Sequence, residues 1–238
     1  MKPRTAVGLL AALALAGCAA GQPSGPGGVT STNAPAPARV GDAWAYRVTS
    51  GYSKEERGIE RQRVVEVAAD RVVIEASGLR SGRWTLTPDL RWITHALADD
   101  RVETFSPAYP AFVFPLAAGQ SWREQVAGRE AAGGGGQVIV QGWVRGWERI
   151  QGPAGTFDAL RIRRVTWGGN FDREYGQSEI TEDLWYAPAI GRIVRHESQW
   201  KRQILYMLSW GPGTLYQEGD WLVYELLPAT DPRAQRTP

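Results

Sequence analysis

"QVIVQGWVRGW", residues 137–147, decides the fold class. Side chains along a β-strand alternate between two faces, so Val138, Val140, Gly142, Val144 and Gly146 share one face. Ile139, Gln141, Trp143, Arg145 and Trp147 share the other. Apolar groups on both faces mark a strand that lies inside a sheet rather than at its edge. The two interior glycines mark places where the sheet bends or a neighbour approaches closely. Two readings are open for the second face. Trp143, Arg145 and Trp147 line a groove for acyl chains or sugars, with Arg145 pairing an anionic head group, or the tryptophans fill the core of a twisted sheet.

The same alternation recurs along the chain. It predicts strands over 44–48, 59–67, 71–76, 83–87, 91–95, 101–105 and 121–126. Others follow over 137–147, 157–167, 178–186, 192–200, 205–210 and 221–226. In 59–67 it places Ile59, Val65 and Val67 on one face. Gly152-Pro153-Ala154-Gly155 and Ala187-Pro188-Ala189-Ile190-Gly191 carry the Pro and Gly that tight turns use. No amphipathic helix stands out. The class is all-β: a curved antiparallel sheet or partial barrel, built as a meander. Gly41-Asp42-Ala43-Trp44 and Gly119-Gln120-Ser121-Trp122 open chain halves of similar length, which an internal duplication near residue 119 would explain. Equally, a glycine turn followed by Trp is a common way to start a strand. Ser106 to Gly119 carries Tyr109, Phe112 and Phe114 among three prolines, too apolar for a free loop and too Pro-rich for an interior strand. It reads as a plug for one barrel end, or as a lid or docking patch.

The N-terminus assigns a location. Lys2 and Arg4 are followed by an almost wholly apolar run from Ala6 to Leu15, too short to span a bilayer. Leu15-Ala16-Gly17-Cys18 resembles the bacterial lipobox. That resemblance implies removal of residues 1–17 as a signal peptide, a diacylglycerol on the Cys18 sulfur and an acylated amino group. An ordinary signal peptide with a free thiol is the other reading. Ala19 stands where an Asp would mark inner-membrane retention, so the expected place is the outer membrane, facing the periplasm. Residues 18–38 are then a tether of Gly, Pro, Ser, Thr and Ala, with a reach of roughly 25 Å as flexible coil. Residues 39–227 form a single domain, and 228–238 a disordered tail.

Charge narrows the partners. Lys2 and Arg4 fall in the first seventeen residues, so the rest of the chain carries 25 basic and 25 acidic residues. A charge-balanced protein lacks the cationic excess that phosphate backbones select, which argues against nucleic acid. With Cys18 acylated there is no disulfide or thiolate metal site, and 11 Trp, 8 Tyr and 5 Phe must supply the core. The two histidines, His95 and His196, have no second His or Cys at ligand spacing. His196 shares an alternation face with Val194 and Trp200 and reads as packed or hydrogen-bonded. Ser121 lacks a nucleophile elbow, and Gly133 to Gly136 precede a strand where a phosphate loop opens a helix. Glu179, Glu182 and Asp183 face Arg161, Arg163 and Arg164 across a predicted hairpin, as ion pairs on a wet sheet face. No catalytic residue, metal or cofactor is expected.

Gly41-Asp42-x-Trp44-x-Tyr46, "PAGTFDALRIRR" (153–164) and "WYAPAIGRIVR" (185–195) resemble an uncharacterised family of bacterial envelope proteins. The resemblance covers roughly residues 40–200. It implies a curved antiparallel sheet or partial barrel, and carries no activity. Two non-enzymatic roles follow for the chain. One is a scaffold holding an apolar ligand, or a lipid or lipoprotein, in a half-barrel groove. The other is an accessory lipoprotein that docks an envelope protein or glycan through exposed aromatics.

Overall fold

A computed structural model describes residues 31–96, 102–130, 135–168, 178–206 and 214–235. Cys18 and the apolar N-terminal run lie outside them. The alternating segments become β2 (Ala43–Ser50), β3 (Glu56–Val67), β4 (Val72–Gly78), β5 (Gly82–Leu86), β6 (Trp92–Ala96) and β7 (Val102–Tyr109). After a short β8 (Leu116–Ala117) come β9 (Ser121–Glu130), β10 (Gly135–Gly152), β11 (Gly155–Gly168), β12 (Ser178–Ala187), β13 (Arg192–Tyr206) and β14 (Thr214–Leu226). Leu205 and Tyr206, expected to open a separate strand, are the end of β13. Every pairing is antiparallel, most join strands consecutive in the chain, and twelve strands close into a barrel. The expected curved meander therefore completes its circle, through seams joining β14 to β2 and β7 to β9.

The barrel has a plugged end. Pairing of β7 with β9 stops at Ser106, just before Pro107, whose ring nitrogen has no hydrogen to donate. The chain then turns inward, burying Pro110, Ala111, Phe112 and Leu116. A second correction concerns the tether. Ser31–Thr32, β1, pairs with Leu116–Ala117, and Ala36 lies against Gly191. Residues 31–38 are thus part of the plugged end. The tail is corrected likewise: Pro232–Gln235 form one helical turn, α1, on the outside of β3. There Arg61 donates to the Arg233 carbonyl at 2.6 and 2.9 Å.

Outside, the barrel is charged. Arg161 and Arg163 converge on Asp183, Arg149 meets Asp158 at 2.9 Å, Arg195 meets Glu197 at 2.6 Å, and Arg47 meets Glu225 at 2.7 Å. A lipid-embedded barrel carries an outward apolar band, and charges on that face are destabilising. This surface suits water.

Six shifts of register interrupt the barrel's ladders and break the simple period of two. A bulge inserts one residue and so exchanges the two faces beyond it. The bulge at Val144/Gly146, with Gly146 at φ +132°, keeps Trp143 and Arg145 outward but turns Trp147 into the core. Trp143 and Trp147 therefore do not share a face. In β3 the buried residues are Glu60, Gln62 and Val64, while Ile59 and Val65 are half-buried, and the bulge at Val64/Glu66 sets Val67, exposed at the strand end opposite Val72, on the other face from Ile59. The apolar alternation there does not mark the buried face, because the barrel interior at that level is polar.

Candidate functional site

The interior contains a cavity of about 640 Å³. An apolar layer including Phe112, Leu160, Ile162, Leu184 and Tyr186 closes it toward the plugged end. Ala36 to Ala38 of the N-terminal segment complete that wall. Toward the other end the lining includes Gly136, Gly168, Ser178 and Ser198, all small.

Between these ends runs a belt of paired charges. Arg164 of β11 is 1% exposed. Its Nε donates to Glu182 of β12 at 2.7 Å, and a second nitrogen donates to the Ala111 carbonyl of the plug at 2.8 Å. The guanidinium lies 5.0 Å from the Trp92 ring and 5.3 Å from that of Tyr109. The other oxygen of Glu182 is 2.9 Å from His196 Nε2 of β13, whose ring stacks on Tyr224. Burial alone would raise the Glu182 carboxyl. Arg164 and His196 outweigh it and hold the group well below the usual carboxylate range.

Across the lumen, the wholly buried Glu60 of β3 accepts from Arg80 at 2.8 Å and from Gln62 at 2.7 Å. Arg80, in the turn between β4 and β5, lies over Trp84 and Tyr224. His95 stacks on Trp92 at 4.2 Å, the rings 6° from parallel. Burial, then the Arg80 charge, push its pKa down to about 3, so its ring is neutral near pH 7. Burial pushes the Tyr109 and Tyr224 phenols up to about 12. Tyr109 bonds Thr166 at 2.6 Å, and Tyr46 donates to the Ile193 carbonyl at 3.0 Å.

The residues singled out from sequence are divided by this architecture. Tyr109 and Phe112 line the cavity. Phe114 does not; it packs behind Phe112 and Tyr186. Trp147 belongs to the core layer, and Trp143 lies outside with Arg145 5.6 Å over its ring, so no groove forms beside the pair. Of the expected wet-face ion pairs, Asp183 makes its bonds to Arg161 and Arg163 outside, and Glu179 accepts from Trp167. The pair between Arg164 and Glu182 is instead buried inside. The bulge at Trp185/Tyr186 brings Ile193 rather than Val194 to the lining beside His196, Ser198 and Trp200. Glu60, Gln62 and Arg80 were missed altogether. A strand whose buried face reads Glu-x-Gln carries no sequence signal of burial. Among the described residues no group of three His, Cys, Asp or Glu side chains stands at metal-binding distance.

No protein family's sequence profile matches the chain. No curated protein matches it either. Three solved structures do. A candidate exported protein with a YmcC-like fold from Bacteroides fragilis is 16% identical, with a TM-score of 0.49, over 82% of this chain and 98% of its own. A candidate lipoprotein from Parabacteroides distasonis is 15% identical, with a TM-score of 0.45, over 83% of this chain and 98% of its own. The hypothetical lipoprotein YmcC from Escherichia coli is 8% identical, with a TM-score of 0.42, over 82% and 85%.

Proposed function

We propose that this chain is a non-enzymatic envelope lipoprotein, anchored through Cys18 in the outer membrane, whose barrel takes an apolar or amphiphilic ligand into its interior. The cavity is the observation that carries the reading. Its volume falls within the 300–1,000 Å³ common for small-molecule sites, and its lining combines aromatic rings with a few convergent polar groups. The lipobox-like residues 15–18 support the anchor, and the charged outer surface suits a module held in water beside a membrane. Binding is favoured over catalysis because the acid–base candidates are already engaged. Glu182 is shared between Arg164 and His196, and among the described residues His196 hydrogen-bonds Glu182 alone. Docking through exposed aromatics has less to stand on, since Tyr52 is the sole aromatic among the large hydrophobic side chains exposed in the described residues.

Ser198→Trp tests this. Ser198 lines the cavity, in register with Glu182, and an indole there fills the lumen. Native mass spectrometry of protein taken from its own envelope is expected to show a bound small molecule in the parent chain and its loss in the variant. An empty parent chain, with the same mass as its polypeptide and anchor, would refute the reading.

A further inference from the structure

We infer that the cavity selects an uncharged amphiphile, one with an apolar body and a polar end that accepts a hydrogen bond. This rests on the ligand-binding reading above and goes further by naming the class. Three arginines line the cavity, and each faces a carboxylate that also lines it. Arg164 meets Glu182 at 2.7 Å, Arg80 meets Glu60 at 2.8 Å, and Arg192 meets Asp42 at 3.5 Å. The remaining lining carboxylate, Glu103, is engaged as well. His95 is neutral, and the phenols of Tyr109 and Tyr224 stay protonated.

Among the described residues no lining charge is left over to pair with an ionic head group. A carboxylate or phosphate entering the belt would lie against Glu60 or Glu182, and an ammonium against Arg80 or Arg164. Either would be stripped of water without a partner, which disfavours its entry. An ester, hydroxyl or amide meets no such penalty and needs only a donor. Tyr224 offers one. Its ring is fixed by the stack on His196 and by Arg80 at 5.1 Å, its phenol lines the cavity, and its hydroxyl has no hydrogen-bond partner among the described residues. Val64, Val72, Ile74 and Leu86, in the apolar cluster beside Trp84, then receive the body of the ligand.

The test uses the Cys18→Ala chain, purified without detergent and stripped of bound lipid. Three probes share one alkyl chain: a monoacylglycerol, the fatty acid and the alkylamine. Binding is followed at pH 8 by quenching of tryptophan fluorescence. The monoacylglycerol is expected to bind at least about tenfold more tightly than either charged probe, a difference of roughly 1.4 kcal/mol. Tyr224→Phe is expected to weaken it about fivefold while leaving the fatty acid unchanged, with circular dichroism confirming the barrel. Equal or tighter binding of the acid or the amine would overturn the inference while leaving a ligand-binding barrel in place. Binding of none of the three would overturn it too. The native mass spectrum then tells whether the broader reading falls with it.

Discussion

At Gly142 there is no space for a side chain. A Cβ built there would stand 2.1 Å from the indole of Trp122. The glycine legible in "QVIVQGWVRGW" thus serves the close approach expected of it, and the neighbour is the tryptophan of the second Gly-x-x-Trp motif. Gly142→Ala is expected to destabilise the barrel by about 1–3 kcal/mol, read as a lowered thermal midpoint. Arg164 and Glu182 were not legible in the same way. Arg163 and Arg164 are adjacent arginines, and adjacent strand residues point to opposite sides. Nothing local says which side is the lumen. The belt also carries a pH signature. Below about pH 6.5 an unfolded chain protonates His95, whereas the folded chain does so only near 3. Glu182, held below the ordinary carboxylate range, adds a loss that begins near its unfolded value and continues to lower pH. Stability is therefore full above about pH 6.5 and falls steadily on acidification, His95 alone contributing up to about 1.4 kcal/mol per pH unit. His95→Phe keeps a ring beside Trp92 and is expected to flatten the denaturant midpoint between about pH 6.5 and 4.5. An unchanged slope would place the sensitivity elsewhere.

Whole elements were easier to read than their faces. All twelve barrel strands contain a segment predicted from alternation, because each long antiparallel strand repeats the two-residue period several times. The period fails at bulges. A single extra residue near Gly146 sends Trp147 to the lumen side and leaves Trp143 outside, and the groove expected between them dissolves. The Ser106–Gly119 segment shows a different limit. Its prolines and aromatics mark it as unusual, yet its partners lie far away in sequence, at Arg164 and at β1. β1 itself spans two residues, Ser31 and Thr32, within a Gly- and Pro-rich stretch that gives no strand signal. Its pairing holds the chain against the plug. Thr32→Pro removes a donor there and should leave the global unfolding free energy within about 0.5 kcal/mol of the parent. Cleavage of residues 31–38 by a protease should meanwhile accelerate. If that segment is cut no faster, β1 does not secure it.

At the scale of the whole molecule the barrel consists of two six-stranded meanders, β2 to β7 and β9 to β14. Each opens with its Gly-x-x-Trp turn, and the two turns make the same bonds. Gly41 N–H donates to the Val64 carbonyl while Val64 N–H donates to that of Asp42; Gly119 and Gln120 bond Val144 in the same way. Both glycines have positive φ, +92° and +84°. An internal duplication near residue 119 would leave this arrangement, and so would two strands that each begin with a glycine turn followed by Trp. Residues 31–38 lie at the plugged end. Cys18→Ala is expected to abolish metabolic labelling by fatty acid and to shift the protein from the membrane pellet to the supernatant. Persistence of both in the variant would refute the anchor.

The residues by themselves determined that this chain is all-β, largely sequentially paired and, beyond residue 17, balanced in charge, since strand period, turn chemistry and net charge are all local quantities. Closure of the sheet, the bulges that exchange its faces and the charged belt of the lumen were decided only in three dimensions. Burial of Glu60, Arg164 and Glu182 is tolerable only where partners from distant strands meet them, and no local pattern records that meeting.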